Sequence, residues 1–183
     1  MLTEEQKKFL LRLARESILA HLERREIALK DPTDQILKEK RGAFVTLHKK
    51  DALRGCIGYI KPYKPLLQTI KEMARAAAFQ DPRFPSVTLK EIDDIYIEIS
   101  ILSELIPVSK EELDDITVGR DGLYIEGLYG SGLLLPQVAV EWNWDRETFL
   151  KETCHKAGLS ANSYLDPKYQ VYRFTAEIFS EEK

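Results

Sequence analysis

Arg54-Gly55-Cys56-Ile57-Gly58, inside the run from Leu53 to Ile60, sets one thiol between two glycines with a guanidinium two positions away. On a strand, residues two apart share a face, so Arg54 and Cys56 are expected to point one way and Leu53, Gly55, Ile57 and Tyr59 the other. A cation beside a thiol favours the thiolate, which is the nucleophilic form. Gly55 and Gly58 leave the backbone bare enough for a ligand or another chain to approach it closely. The same residues also suit plain packing. A free cysteine buries readily as a small hydrophobe, two glycines can serve a tight strand crossing, and Arg54 can pair with a carboxylate.

Further groups could complete a site. Glu98 is the carboxylate expected near Arg54, either neutralising the guanidinium or acting as acid or base. His155 could serve as a base for Cys56, since a cysteine and a histidine distant in sequence can meet in space; a surface histidine is the plainer reading. Gln137, after Pro136 at a strand end, offers an amide to orient a polar group or to cap the strand. Arg83, between two prolines, could bind an anion or pair with a carboxylate. Cys154 shares a helix face with Phe149, Leu150 and Ala157, which makes it a packed thiol, and His21 sits on a helix where packing explains it. His48 belongs to the end of the neighbouring hairpin strand. Three histidines and two cysteines lack the paired spacings of zinc sites. No calcium loop, phosphate-cradling loop or three-cysteine radical-enzyme pattern occurs, so no metal or cofactor is implied.

The elements that must position these residues follow from periodicity. Thr3-Glu4-Glu5-Gln6 is a capping-box pattern, and apolar residues at helical spacing carry a helix to about Arg25. Asp31-Pro32-Thr33-Asp34 breaks it. Ala43 to His48 alternates, and Lys49-Lys50-Asp51 separates it from the Cys56 strand, which predicts a hairpin. Pro62 and Pro65 lead into a second helix with Leu66, Leu67, Ile70, Ala74, Ala77 and Ala78 on one face. Asp81-Pro82-Arg83-Phe84-Pro85 forces a loop. From Asp94 the chain alternates strictly, with Ile95, Ile97, Ile99 and Ile101 facing a core and Glu98 on the other side. Asp121-Gly122 and Tyr129-Gly130-Ser131-Gly132 mark turns of a second hairpin pair. Gly130-Ser131-Gly132 lacks the third glycine of a dinucleotide fingerprint. A strand from Leu133 to Leu135 ends at Pro136-Gln137. Asp145 caps a last helix that Gly158 stops, and one strand spans about Gln170 to Phe179.

At 183 residues the chain suits a single domain, 1–183, or two small lobes sharing one core. A net charge of -3 gives no general attraction to nucleic acid or anionic membrane. No apolar run reaches the roughly 18 residues that span a membrane, and no signal peptide opens the chain, so a cytoplasmic location with two free thiols is expected.

Five stretches in order resemble the AMMECR1 family: Leu53-Arg54-Gly55-Cys56-Ile57-Gly58, Asp81-Pro82-Arg83-Phe84, Glu98-Ile99-Ser100-Ile101-Leu102, Leu135-Pro136-Gln137-Val138-Ala139, and Cys154-His155-Lys156-Ala157-Gly158-Leu159. The likeness runs from about the first helix to about Leu159. It implies an α+β fold with an antiparallel sheet, flanking helices and two packed subdomains, and a pocket near the cysteine motif. Arg54, Cys56, Glu98 and Gln137 are then expected to line one cleft. It implies no settled activity, and it associates the chain with a Memo-like protein and a radical-enzyme protein as pathway partners. Two functions stay open: a module binding a small ligand or macromolecular partner at the Leu53 to Gly58 motif, or a thiol-dependent enzyme with Cys56 as nucleophile.

Overall fold

The computed structural model describes residues 1–27, 34–128 and 130–182. In chain order the helices are α1 (Glu4–Leu22), α2 (Leu66–Phe79), α3 (Pro136–Glu141) and α4 (Arg146–Lys156). The strands are β1 (Ala43–Lys49), β2 (Ala52–Tyr59), β3 (Ile95–Leu102), β4 (Ile106–Val108), β5 (Gly122–Gly127), β6 (Gly130–Leu134), β7 (Gln170–Phe174) and β8 (Ala176–Ser180). The fold is α+β with antiparallel pairing, as expected. Two compact units divide it, Met1–Leu102 with Glu177–Lys183, and Ser103–Ala176.

In the first unit, the sheet runs β2-β1-β3-β8. Its core face comes from the alternation of Val45 and Leu47 on β1 and of Ile97, Ile99 and Ile101 on β3, all buried. Against it pack Leu10, Leu13, Ala14 and Ile18 of α1 and Leu66, Ile70, Ala74 and Ala77 of α2. Burying each large aliphatic side chain stabilises the fold by about 1.5–3 kcal/mol. The capping box forms: Gln6 N–H donates to Thr3 Oγ1 (3.3 Å) and Thr3 N–H to Gln6 Oε1 (2.9 Å). α1 stops three residues short of Arg25 because Arg24 takes a left-handed φ of 55°. Of the expected break at Asp31-Pro32-Thr33-Asp34, the first three residues lie outside the described ones. At the chain's other end Glu181 is a latch. Its carboxylate accepts from Arg15 Nε (2.7 Å) and from the Ile97 N–H (2.9 Å), and its own N–H donates to the Ile97 carbonyl (2.9 Å).

In the second unit, a sheet of order β4-β7-β5-β6 packs Leu123, Ile125 and Val171 against Phe149, Leu150 and Cys154 of α4. Asp145 caps α4 by accepting from the Thr148 N–H (2.8 Å), and Gly158, at φ 71°, ends it. The hairpin turn between β5 and β6 involves Tyr129, outside the described residues. Two expectations change here. The single strand from Gln170 to Phe179 is two strands in different sheets, separated at Thr175, whose N–H donates to Ser103 Oγ (2.9 Å). The strand expected to end at Pro136-Gln137 stops at Leu134, and proline at the first helical position instead opens α3.

Candidate functional site

β1 and β2 are joined by Lys50 and Asp51, whose φ values of 50° and 62° are those of a type I′ turn. From it the ladder runs Lys49 to Ala52 and His48 to Leu53, then skips: Leu47 opposes Gly55, and Arg54 is the extra residue of a β-bulge. That skip sets the faces. Beyond it Cys56 opposes Thr46, on the side away from Val45 and Leu47, whereas Gly55 joins the core side. The expected sharing of a face by Arg54 and Cys56 is therefore corrected. Arg54 reaches Glu91 instead, with Nη2 to Oε1 at 2.9 Å and Nε to Oε2 at 3.2 Å. Lys49 Nζ joins the same carboxylate at 3.0 Å, and Arg54 first, then Lys49, hold the Glu91 carboxyl down to about 2. The expected pair of Arg54 with Glu98 does not form, because one inserted residue reverses the alternation.

The cation beside the thiol is Arg83. Asp81, buried in the loop after α2, accepts the Cys56 N–H on Oδ2 (2.9 Å) and the Arg83 N–H on Oδ1 (3.1 Å). The guanidinium of Arg83 grips the same carboxylate through Nε (2.9 Å) and Nη2 (2.7 Å), and Nη2 also lies 3.3 Å from the Cys56 carbonyl oxygen. β2 is a sheet edge, so Cys56 would otherwise present a bare N–H and C=O. The Asp81-Pro82-Arg83 loop supplies partners for both. Arg83, with its backbone N–H and that of Cys56, holds the Asp81 carboxyl well below the usual carboxylate range. The Arg83 side chain stays half exposed, and its Nη1 has no hydrogen-bond partner among the described residues.

On its other side the Cys56 sulfur accepts a hydrogen bond from Thr46 Oγ1 (3.2 Å). Thr46 in turn opposes Glu98 on β3, so Cys56, Thr46 and Glu98 form one row across three strands. His48, next on that face, stacks on Tyr96 with ring centroids 4.8 Å apart, its Nε2 3.9 Å from Glu98 Oε1. Burial pushes the Cys56 thiol up, and the Thr46 hydroxyl and the Arg83 charge offset this only in part. The thiol form is thereby favoured over the thiolate.

The two glycines of the motif admit parts of this chain. A Cβ on Gly55 would stand 2.2 Å from the carbonyl oxygen of Ala77, so α2 lies directly on the strand. A Cβ on Gly58 would stand 2.3 Å from the ring of Phe44, its cross-strand partner. The close approach they were expected to offer a ligand is taken up by packing.

Gln137 and His155 belong to the second unit. Gln137 lies in the first turn of α3, with Oε1 buried and without a hydrogen-bond partner among the described residues. His155 sits on the last turn of α4, half exposed, with Nδ1 3.2 Å from Glu152 Oε1. Its neighbour Cys154 is fully buried, and burial raises its thiol as well. Asp81 and Thr46 are the residues that sequence reasoning passed over. Asp81 had a signal, since Asp-Pro is a turn opener that often bonds backbone N–H groups two residues on. Thr46 had none, because its pairing with Cys56 depends on the bulge. Among the described residues no group of three or more His, Cys, Asp or Glu is placed to hold a metal ion. None of the described helices is long and apolar enough to cross a membrane.

The chain is similar to other proteins in sequence and in structure. The profile of the AMMECR1 family matches residues 11–179. A protein of Methanothermobacter thermautotrophicus is 46% identical, with 99% of this chain and 97% of that protein covered. One from Pyrococcus abyssi is 50% identical over 98% of this chain and 92% of its own length. The crystal structure of the uncharacterized protein PH0010 from Pyrococcus horikoshii superposes with a TM-score of 0.91 at 46% identity, covering 99% of this chain and 94% of that one. With the family profile, the fold and the relatives in agreement, the chain belongs to the AMMECR1 family.

Proposed function

We propose that the protein is a binding module that engages a small ligand or a macromolecular partner at the Cys56 edge of β2. The observation carrying this reading is the clamp at Cys56. Asp81 fixes Arg83 in two hydrogen bonds, and the half-exposed guanidinium keeps Nη1 for an incoming acceptor. A planar, charged donor already ordered by a buried carboxylate loses little freedom on binding, which favours recognition of an anionic group. Cys56 then serves as the anchored neighbour of Arg83, its thiol kept protonated by burial.

Native mass spectrometry of the purified chain tests this reading. A bound species retained by the wild-type protein should be lost from Arg83→Gln while the variant melts normally. Retention by the variant would move the binding site elsewhere. In the same reading the macromolecular partners are a Memo-like protein and a radical-enzyme protein of one pathway, to be tested by co-elution of the purified proteins. The hydrogen bond from Thr46 to the sulfur favours a second reading, a thiol-dependent enzyme, since a donor stabilises the thiolate. That reading requires alkylation of Cys56 to reach its plateau below pH 7.

A further inference from the structure

Where the C-terminal end of α1 meets α2, a hollow of about 610 Å³ is lined by His21, Arg24, Arg25 and Arg75, with Glu26 as its acid. Arg25 is already committed, bonding Glu16 through Nη1 and Nη2 and Glu23 through Nε. Arg24 and Arg75 have no carboxylate partner among the described residues. Arg24 is held in place by the helix end, where its left-handed backbone lets its N–H reach the His21 carbonyl (3.3 Å) and the Arg25 N–H reach that of Ala20 (2.9 Å). Arg75 Nη2 lies 3.3 Å from His21 Nδ1. A guanidinium has only donors, so this ring nitrogen accepts and the imidazole proton resides on Nε2. The His21 ring is braced against Phe79, with centroids 4.2 Å apart.

Cations at the end of α1 suit its negative pole, which accounts for Arg24. It does not account for Arg75, which lies before the last turn of α2 and meets a ring nitrogen where a carboxylate would be the ordinary partner. We propose that this hollow binds the phosphate group of a small molecule, with Arg24 and Arg75 supplying charge and His21 a neutral N–H. Glu26 on the wall and the net charge of -3 disfavour a long polyanion.

The test follows the His21 imidazole resonances of the full chain while inorganic phosphate is added at fixed pH and ionic strength. A saturable shift is expected, absent with sodium chloride at matched ionic strength. Arg24→Gln and Arg75→Gln should each weaken the apparent affinity about tenfold, with unchanged melting showing that both variants fold. A shift reproduced by chloride, or an affinity untouched in both variants, overturns the proposal. So does a single-stranded RNA oligonucleotide that binds there more tightly than phosphate esters of simple sugars. Because Arg83 is not involved, Arg83→Gln should leave this titration unchanged, and its loss there would overturn the assignment to this hollow.

Discussion

Both units bring a helix down onto strand glycines and each holds one cysteine, yet the two cysteines live in different surroundings. In the first unit the Ala77 carbonyl of α2 rests on Gly55, and Cys56 is on the strand. In the second, the backbone of Ala157 just past α4 rests on Gly130 and Gly132, and Cys154 is on the helix. Cys154 is fully buried in the core cluster that holds Phe149, Leu150 and Val171, and its polar partners are the backbone groups of Ser163 and Tyr164. Cys56 has a polar frame: Asp81 on its N–H, Arg83 at its carbonyl, Thr46 on its sulfur. The strand glycines therefore report helix packing in both places. What sets Cys56 apart is a frame of polar side chains, two of the three contributed by a loop distant in sequence.

The largest expected effect tests the shared half of this comparison. Gly55→Val forces bulk against a helix backbone, which no rotamer change relieves, and should cost about 3 kcal/mol, near the upper end for overpacking. Gly132→Val should cost a similar amount, because its Cβ would stand 2.5 Å from the Ala157 nitrogen. Urea denaturation of the two variants is the measurement, with Cys56→Ser as the mild control. A stable Gly55→Val protein would show that α2 is not seated as described.

The polar frame is tested next. Asp81→Ala removes a charged acceptor from two backbone N–H groups and should cost about 2 kcal/mol at pH 7. Because the Asp81 carboxyl is depressed in the folded state, its contribution is complete above the unfolded carboxylate value of about 3.9. It is lost progressively as pH falls below that value toward the folded one. The stability gap between wild type and Asp81→Ala should thus be constant from pH 7 to 5 and narrow below pH 4. A gap independent of pH down to 2 would mean that Asp81 acts by shape alone.

The smallest effects separate the thiols. Cys56 should alkylate about tenfold faster than Cys154, which reacts only when α4 opens locally. Arg83→Gln should slow labelling of Cys56 about twofold by removing a charge that favours the thiolate, whereas Arg54→Gln should leave the rate alone. Mass spectrometry of partially labelled protein reads all three. An equal response to Arg54→Gln would restore the face assignment that the bulge overturns.

Where one interaction dominates locally, the fold was legible in advance. The Thr3 and Gln6 capping box, the isoleucine alternation of β3 and the Gly158 stop each follow from a single rule and appear as that rule requires. The site was legible only by neighbourhood. Strand periodicity assumes an uninterrupted ladder, and the bulge at Arg54 breaks it, moving one guanidinium from the thiol to Glu91. A loop with two prolines announced itself, but nothing in its spacing told that Asp81 would serve the backbone of a residue 25 positions earlier. The strand from Gln170 to Phe179 looked continuous because β7 and β8 share one alternating pattern, and only sheet topology divides them.

The latch at Glu181 also has a consequence for biosynthesis. β3 and the end of α1 emerge from the ribosome long before β8, since the whole of Ser103–Ala176 is made in between. Until then the outer edge of β3 is a bare row of hydrogen-bonding groups, the kind of template that pairs promiscuously. β8, translated after the second unit, covers that edge, and Glu181 then fastens Arg15 and Ile97 behind it. A premature stop between Ser103 and Ala176 leaves a nearly complete first unit with an adhesive side, so such truncated products should be found in the insoluble fraction.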